Sequence, residues 1–535
     1  MSTAIAPHTA QRNAGLWTGT VSLLRLALRR DRIRLSIWLA ALTLMMVYAP
    51  NAIKLAYPDE AQRQARVNLM KTPAAIIMGG PMFGGNETDL GAMMANELML
   101  TMIVATSILA ILTVIRHTRA EEESGAAELV LSSVVGRYAR TTAALIMVGG
   151  VNAALTVTMT LAMASSGFGL ADAAAMCLGV TGAAMVFGAV AAVTAQLWRQ
   201  SRTAAGAAMA ILALAVFVRG IGDVIENSGS MLSWFSPIAW AQQMRAFVDV
   251  RWWPFALLVA LTLGLVALAA GLESRRQYDD GTVPSTGERP NAQAIRSVLG
   301  LHLTLQRGQT IGWAVGLFLG GLAFGSMTKS LLDAAEENEL IQRVLVAQGT
   351  DSVYTTMTQF LAAAATAYVV SSVLRVLGDE EKGLGEAVLA GAVSRWRWLL
   401  TAVASALVGS AVLMFFAGLG NGLGAGITLG EPGTIVRLTL AGLAYVPAMA
   451  VMAGIAAVGV AIRRGWIGWL AVTFVVVSLY LGALLRLPSW LLDLSPVGQT
   501  TAPSDYPVLA LVVMIVVAAA LTFAAGAIYR RRDAL

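Results

Sequence analysis

Hydrophobic residues occur in blocks of about twenty, which is the length that crosses a bilayer core as a helix. Polar and arginine-rich stretches separate the blocks. This pattern predicts an all-α polytopic membrane protein with twelve transmembrane helices. They lie at residues 35–52, 92–115, 141–164, 173–197, 204–218, 253–272, 311–327, 358–377, 398–418, 435–462, 467–485 and 508–529.

The stretches outside the blocks divide the chain. Residues 1–15 are polar, and we expect a cytoplasmic tail there. Residues 17–32 carry apolar side chains on one stripe and arginines on the other, which is typical of a helix lying at the membrane surface. A polar linker, with Pro284 and Pro290, covers 273–294. It separates two six-span halves, 16–272 and 295–535.

Composition agrees with a membrane protein, since 57% of the 535 residues are hydrophobic and only 13% are charged. The net charge is +6. Arginines cluster before the first block and at alternate turns, so the positive-inside rule places both termini in the cytoplasm. The sequence contains no basic patch with interleaved aromatic residues, the pattern that would indicate nucleic-acid binding. One cysteine and three scattered histidines make a thiol or histidine metal site improbable.

One polar stretch occurs twice. Residues 121–140 (EEESGAAELVLSSVVGRYAR) recur at 379–398 (DEEKGLGEAVLAGAVSRWRW), 258 positions later. Each copy follows the second block of its half, so both fall on the cytoplasmic side and the halves form a parallel repeat. Carboxylates at the start and apolar residues further on suit a short helix at a membrane surface. Such a helix is either a connector on the headgroups or, because it occurs twice, one of two equivalent docking sites for a partner.

The pattern E-x-x-x-G-x-x-E-x-(V/L)-L-x-x-x-V-x-R resembles that of ABC-2-type exporter permeases, and the fused twelve-span form is similar to actinobacterial antibiotic and multidrug exporters of the tetronasin-resistance type. The resemblance implies that each copy is a coupling helix bound by a soluble ABC ATPase, so that two ATPase copies serve one chain. The implied partner-binding residues are Glu121, Glu122, Gly125, Glu128, Leu131, Arg137, Glu380, Glu381, Gly383, Glu386, Leu389 and Arg395.

The chain lacks the P-loop pattern G-x-x-x-x-G-K-[ST]. We therefore predict no catalytic, cofactor or metal residues here, with ATP and magnesium on the partner subunit. The expected function is export of apolar or amphipathic compounds from a bacterial cytoplasmic membrane, as in antibiotic or multidrug efflux. The resemblance also implies that substrate-facing residues come from the first, second and fifth spans of each half. Methionines, which repack around varied ligands, are plentiful there, and the predicted substrate pathway contains Met45, Met46, Glu97, Met99 and Met102.

Two other classes stay open. A proton-driven twelve-span transporter of the major facilitator type needs ionisable residues within the membrane, and Glu97 is the candidate. A membrane scaffold or immunity protein without transport activity is the second. ATPase binding would separate both from the exporter.

Overall fold

The computed structural model describes residues 15–71, 73–83, 88–125, 135–226, 229–276, 281–282, 297–329, 350–381, 383–391, 393–480 and 488–531, apart from the side chains at 65, 69, 73, 74, 386 and 387. Within these residues all regular secondary structure is helical. The chain divides into two compact units, Met1–Glu288 and Arg289–Leu535.

The first unit contains ten described α-helices. They are α1 (Thr20–Ala56), α2 (Glu60–Met70), α3 (Pro73–Gly79), α4 (Leu90–His117), α5 (Arg119–Glu123), α6 (Ala139–Ser165), α7 (Leu170–Leu197), α8 (Ser201–Ile225), α9 (Pro237–Gln242) and α10 (Trp253–Arg275). Most of α7 is buried against neighbouring helices, and its buried residues are chiefly alanine, valine and glycine. Small residues let helices approach closely, which is how helices pack in a bilayer.

The second unit contains nine described α-helices. They are α11 (Val298–Ser326), α12 (Thr350–Glu381), α13 (Leu384–Leu389), α14 (Arg395–Leu429), α15 (Pro432–Leu443), α16 (Val446–Ala461), α17 (Trp466–Tyr480), α18 (Ser489–Leu492) and α19 (Val508–Arg531). Helices α11 and α14 meet backbone to backbone at two small-xxx-small pairs. A Cβ atom on Gly325 would lie 2.1 Å from the Asn421 carbonyl oxygen, and one on Gly424 would lie 2.4 Å from that of Leu322.

Eleven of the described helical stretches are long and apolar enough to cross a membrane. The chain is therefore a polytopic helical membrane protein. The predicted span 467–485 coincides in part with α17, whose apolar stretch Trp466–Leu479 is shorter than the others. Because residues 481–487 lie outside the described part, the count of twelve and the repeat arrangement stay predictions.

Two boundaries predicted from the sequence are wrong. The separate surface helix at 17–32 does not exist, because α1 runs without a break from Thr20 to Ala56. Among the arginines that suggested a membrane surface lies Asp31, which is buried against other helices. The second difference concerns residues 219–251, which were predicted as a loop. Helix α8 continues to Ile225 because Arg219 and Asp223 form a buried i,i+4 ion pair of 3.3 Å.

Candidate functional site

The first acidic element follows α4 directly, because the helix breaks at Thr118 and resumes as α5. Glu122 is only 6% exposed. Its carboxylate accepts hydrogen bonds from Arg119 at 2.6 Å, from Arg140 at 2.6 Å, and from both terminal nitrogens of Arg276 at 2.8 and 2.9 Å. A buried carboxylate is stable when it is paired and hydrogen-bonded in this way. Glu122 therefore joins α5, α6 and the end of α10.

The neighbouring glutamates make different contacts. Glu121 lies 3.1 Å from Arg30 of α1 and 3.3 Å from Nδ1 of His117. Glu123 accepts hydrogen bonds from the hydroxyl of Ser201 and, at 3.1 Å, from its backbone N–H at the first turn of α8. A carboxylate at this position satisfies a free helical N–H and interacts favourably with the helix dipole. The three consecutive carboxylates thus contact five different helices besides their own, counting the end of α10.

Asp31 of α1 completes the ion network at this end of the first unit. Its carboxylate is 1% exposed and lies 3.2 Å from Arg34, 3.2 Å from Arg116 and 3.0 Å from Nε2 of His117. His117 therefore lies between Asp31 and Glu121. Through this histidine the first helix is tied to the start of the acidic element.

A tight turn ends the described part of the first element. Gly125 has a φ of 73°, a left-handed conformation that favours glycine, and its N–H donates to the Glu122 carbonyl at 3.1 Å. Residues 126–134 lie outside the described part. Beyond them, the N–H of Gly136 donates to Thr18 and that of Tyr138 donates to Leu16, at 2.9 and 3.1 Å. The start of the chain therefore holds the far end of this segment.

Arg137 follows the same segment and fixes it to the end of α10. Its guanidinium donates to the Glu273 carbonyl at 2.8 and 3.1 Å and to the Arg276 carbonyl at 3.2 Å. The carboxylate of Glu273 in turn accepts from the Thr141 hydroxyl at 3.0 Å. Glu122 and Arg137, which lie on either side of residues 126–134, thus both contact the end of α10.

The second acidic element has the same backbone turn. Helix α12 ends at Glu381, Gly383 has a φ of 70°, and its N–H donates to the Glu380 carbonyl at 2.9 Å. Glu380 accepts a hydrogen bond from the hydroxyl of Tyr529, on the last helix of its unit. Asp379 lies 3.7 Å from Arg375.

Helix α13 follows the second turn. Leu389, Val388 and Val393 pack against the core of their own unit, whereas Leu384 is exposed. Glu381 is exposed, and Arg395 is half-buried at the first turn of α14. Glu128 and Leu131 lie outside the described residues, as does the side chain of Glu386. Partner binding by all these predicted residues stays a prediction.

The predicted substrate-pathway residues lie on two helices of the first unit, α1 and α4. Met46, Met99 and Met102 are buried and Met45 is half-buried. Glu97 accepts a hydrogen bond from Nε of Arg66 on α2 at 2.8 Å. The carboxylate proposed for a proton relay is therefore ion-paired near the start of α4.

Sequence reasoning missed Asp31, His117, Arg66 and the Arg219–Asp223 pair. Two of them carried a usable signal. Asp31 and Arg34 are spaced i,i+3, and Arg219 and Asp223 are spaced i,i+4, so each pair shares one helix face. Arg66 carried no such signal, because its partner Glu97 is 31 residues away on another helix.

The fold defines the class: a helical, multi-pass membrane protein in which an ion network joins the helix ends at the acidic element. Residues 21–272 and 295–530 match the family described as multidrug efflux system permease Rv1217c, C-terminal domain. The chain is 36% identical over 549 aligned residues to the multidrug efflux system permease protein Rv1217c of Mycobacterium tuberculosis (strain H37Rv), covering 99% of this chain and 97% of that protein. The chain belongs to this family of permeases.

Proposed function

We propose that this chain is the membrane-spanning permease of an ATP-driven multidrug exporter of the ABC-2 kind, with ATP and magnesium bound by a separate ATPase subunit. Two copies of that subunit would dock at the two acidic elements, and apolar or amphipathic compounds would be exported. The naming of the relative as a multidrug efflux system permease supports the export role. The contacts between the first acidic element and the helices of its unit are the observation that best supports a role in transmitting ATPase movement to those helices.

Those contacts would allow a displacement of the segment to reach the helices of the first unit. Glu121 contacts α1, Glu122 contacts α6 and the end of α10, and Glu123 contacts α8. Removing one partner of a buried ion pair costs about 3–5 kcal/mol, so a partner that pushed on the segment would move α6 and α10 through Glu122 before it broke these buried pairs. The contacts of Glu121 and Glu123 are exposed and weaker. We infer that Glu121–Glu123 form the base of the coupling element.

The partner-facing surface then lies further along each element. Gly125 and Gly383 turn the chain away from the preceding helices. In the first element the residues beyond the turn include Glu128 and Leu131. In the second, the exposed side chain of Leu384 follows the turn, and Glu386 lies two residues later. We propose that these residues contact the ATPase, while Leu389 holds α13 on its own unit.

The proposal includes the twelve-span parallel repeat and the topology. The matching turns at Gly125 and Gly383, 258 residues apart, support an equivalence of the two halves. We place the acidic elements and both termini in the cytoplasm of a bacterium, with the protein in its cytoplasmic membrane. Membership of the permease family above and the ion pair of Glu97 with Arg66 disfavour the proton-driven alternative.

The test is co-expression of the chain with the ABC ATPase encoded beside it, followed by purification and measurement of ATP hydrolysis. The double variant Glu128→Arg with Glu386→Arg reverses the charge of both proposed contacts. We expect the ATPase to co-purify with the wild type and to be lost, or to lose its stimulation, with the double variant.

Glu226→Arg is the matched control. Glu226 is an exposed carboxylate beyond the far end of α8, about 36 Å from the end that contacts Glu123 at 1.5 Å per helical residue. This variant should bind the ATPase like the wild type. A wild-type chain that binds no ATPase, or a double variant that behaves like Glu226→Arg, would contradict the proposal.

A further inference from the structure

A small cavity lies near the start of α4, at the opposite end of that helix from the acidic element. Its volume is about 40 Å³, and the residues that line it include Arg66, Phe83, Asn96, Met99, Gln242 and Arg245. One water needs about 10–15 Å³ by this kind of measure, whereas drug-sized ligands occupy about 300–1,000 Å³. The cavity can therefore hold a few waters or one polar group, but not a whole drug-sized molecule.

Two buried polar side chains at this cavity each have an atom without a hydrogen-bond partner among the described residues. Arg66 is 2% exposed; its Nε donates to Glu97 at 2.8 Å and its Nη2 donates to Asn96 at 2.9 Å, but its Nη1 has no acceptor. Gln242 is 6% exposed; its Nε2 donates to the Gly79 carbonyl at 3.0 Å, but its Oε1 has no donor. Buried polar atoms are seldom left without a partner, so the cavity is built to receive a polar group.

The charge around the cavity favours an anion. Glu97 neutralises Arg66 at 2.8 Å. The second guanidinium, that of Arg245, lies 4.8 Å from the centre of the Phe83 ring and is only 18% exposed. Its carboxylate partner Asp249 is 3.7 Å away and half exposed, so water screens that pair. The positive charge of the half-buried Arg245 is therefore less neutralised by its carboxylate partner than that of Arg66.

An apolar rim surrounds these polar groups. Met82, Phe83, Met99 and Val248 line the same cavity. Arg245 and Phe247 have φ values of 50° and 67°, which non-glycine residues seldom adopt and which commonly mark ligand-holding segments. A ligand with a compact anionic end and an apolar body would match both parts of this lining.

We propose that the cavity binds the carboxylate end of an amphipathic acid, with Arg66 Nη1 and Arg245 as the donors. This inference rests on the proposed export function, because it names a class of substrate for it. The apolar body would lie along the methionine-lined rim. Gln242 Oε1 would accept a hydrogen bond from a hydroxyl of the substrate or from a water bound with the carboxylate.

The experiment measures binding of radiolabelled octanoate to the full chain in lipid nanodiscs, with protein-free nanodiscs as background. Unlabelled acetate, octanoate and 1-octanol compete, so that the carboxylate, the apolar body and their combination are tested separately. Stimulation of ATP hydrolysis is measured in parallel on the chain with its ATPase. We expect octanoate to compete at a concentration about tenfold lower than octanol, as loss of one charge-assisted hydrogen bond implies. Acetate should compete only weakly.

The variant Arg245→Gln should weaken octanoate binding about tenfold or more and leave octanol unchanged. Arg66→Lys, which retains the charge beside Glu97, should weaken it as well. The control is Arg202→Gln, because Arg202 is an exposed arginine at the first turn of α8 and does not line the cavity. It should bind octanoate like the wild type.

Equal competition by octanoate and octanol, or unchanged binding by both Arg245→Gln and Arg66→Lys, would overturn the inference and leave a cavity that holds water only. Acetate that competes as well as octanoate would overturn the amphipathic part, because the ligand would then be a free carboxylate. Octanoate binding that follows these variants, without any ATPase association, would retain the site and refute the proposed ATP-driven function.

Discussion

In the first unit the helix that ends at Glu123 is followed by Gly125 at a φ of 73°, and in the second the helix that ends at Glu381 is followed by Gly383 at 70°. The hydrogen bond that closes each turn joins equivalent residues, Gly125 to Glu122 and Gly383 to Glu380. The side chains around the two turns differ. Glu122 accepts from three arginines, whereas the described bond to Glu380 comes from the phenol of Tyr529.

The same contrast extends to the first helix of each unit. Aligning Trp38 with Trp313 places Asp31 opposite Gln306 and Arg34 opposite Gln309. Arg34 donates to Thr113 at 3.5 Å, and Gln309 donates to Ser371 at 2.8 Å. The two acceptors, Thr113 and Ser371, are 258 positions apart, which is the spacing of the two acidic elements. The helix contact therefore occurs at equivalent positions, with charged groups in one unit and neutral amides in the other. The turn is what the two elements share. Its described surroundings differ: three arginines bind Glu122 in the first element, whereas the second includes the hydrogen bond from Tyr529 to Glu380 and the ion pair of Arg375 with Asp379.

The largest expected effect separates the two glutamates. Glu122→Gln leaves three arginines around a buried neutral amide, and we expect a loss of about 3–5 kcal/mol in the free energy of unfolding. Glu380→Gln weakens a hydrogen bond to a charged acceptor, and we expect about 1.5–3 kcal/mol. Unfolding of the purified chain in mixed micelles titrated with dodecyl sulfate measures both. Equal losses would remove the distinction between the units.

Asp31→Gln tests the same contrast at α1, because it installs the amide that the second unit has at the equivalent position. The half-buried Arg34 and the exposed Arg116 lose their shared carboxylate, and we expect about 1.5–3 kcal/mol of destabilisation in the same unfolding titration, the value of hydrogen bonds to a charged group. Gln306→Asn, which shortens an amide by one methylene, is the control and should cost about 1 kcal/mol. An Asp31→Gln chain as stable as the wild type would show that the charges are dispensable.

The two turns should respond alike to substitution. Gly125→Ala and Gly383→Ala each place a Cβ in open space, with no atom within 4 Å, so only the left-handed backbone is penalised. We expect about 1–2 kcal/mol at each site. Gly150→Ala is the control, since Gly150 is helical and equally open; it should be neutral or stabilising by up to about 1 kcal/mol. Unequal costs at Gly125 and Gly383 would mean that the turns are not equivalent.

The smallest expected effect concerns the exposed end of the network. Arg30 is 52% exposed where it pairs with Glu121, and exposed ion pairs contribute about 0.2–1 kcal/mol. Arg30→Gln should therefore cost less than about 1 kcal/mol, and the cost should fall as salt is raised. Unfolding titrations at low and high salt test this. A cost that is larger, or that does not change with salt, would place this pair with the buried ones.

The hydrophobic pattern predicted the long helices well, because each needs only about twenty consecutive apolar residues. It failed where polar groups are buried. The arginines of residues 17–32 indicated a membrane surface, but Asp31 among them is buried and pairs with Arg116 and His117 of α4, more than 80 residues later. Arg219 and Asp223 ended a predicted span at 218, although together they neutralise one another inside the protein.

The acidic elements were found from their repetition, and the glycine of the motif is explained by the left-handed turn. The partners of Glu122 could not be predicted, because Arg140 and Arg276 lie 18 and 154 residues away. A run of glutamates predicted an exposed surface, whereas the middle one is buried. Sequence periodicity reports which face of one helix is apolar, but not which side chains of different helices meet at its end.

We propose that each acidic element binds one ATPase. Native mass spectrometry of the purified complex, released from nanodiscs, counts the ATPase copies per chain. We expect two copies for the wild type, and one for each of the single variants Glu128→Arg and Glu386→Arg. A wild-type chain with no ATPase, or single variants that still carry two copies, would contradict it.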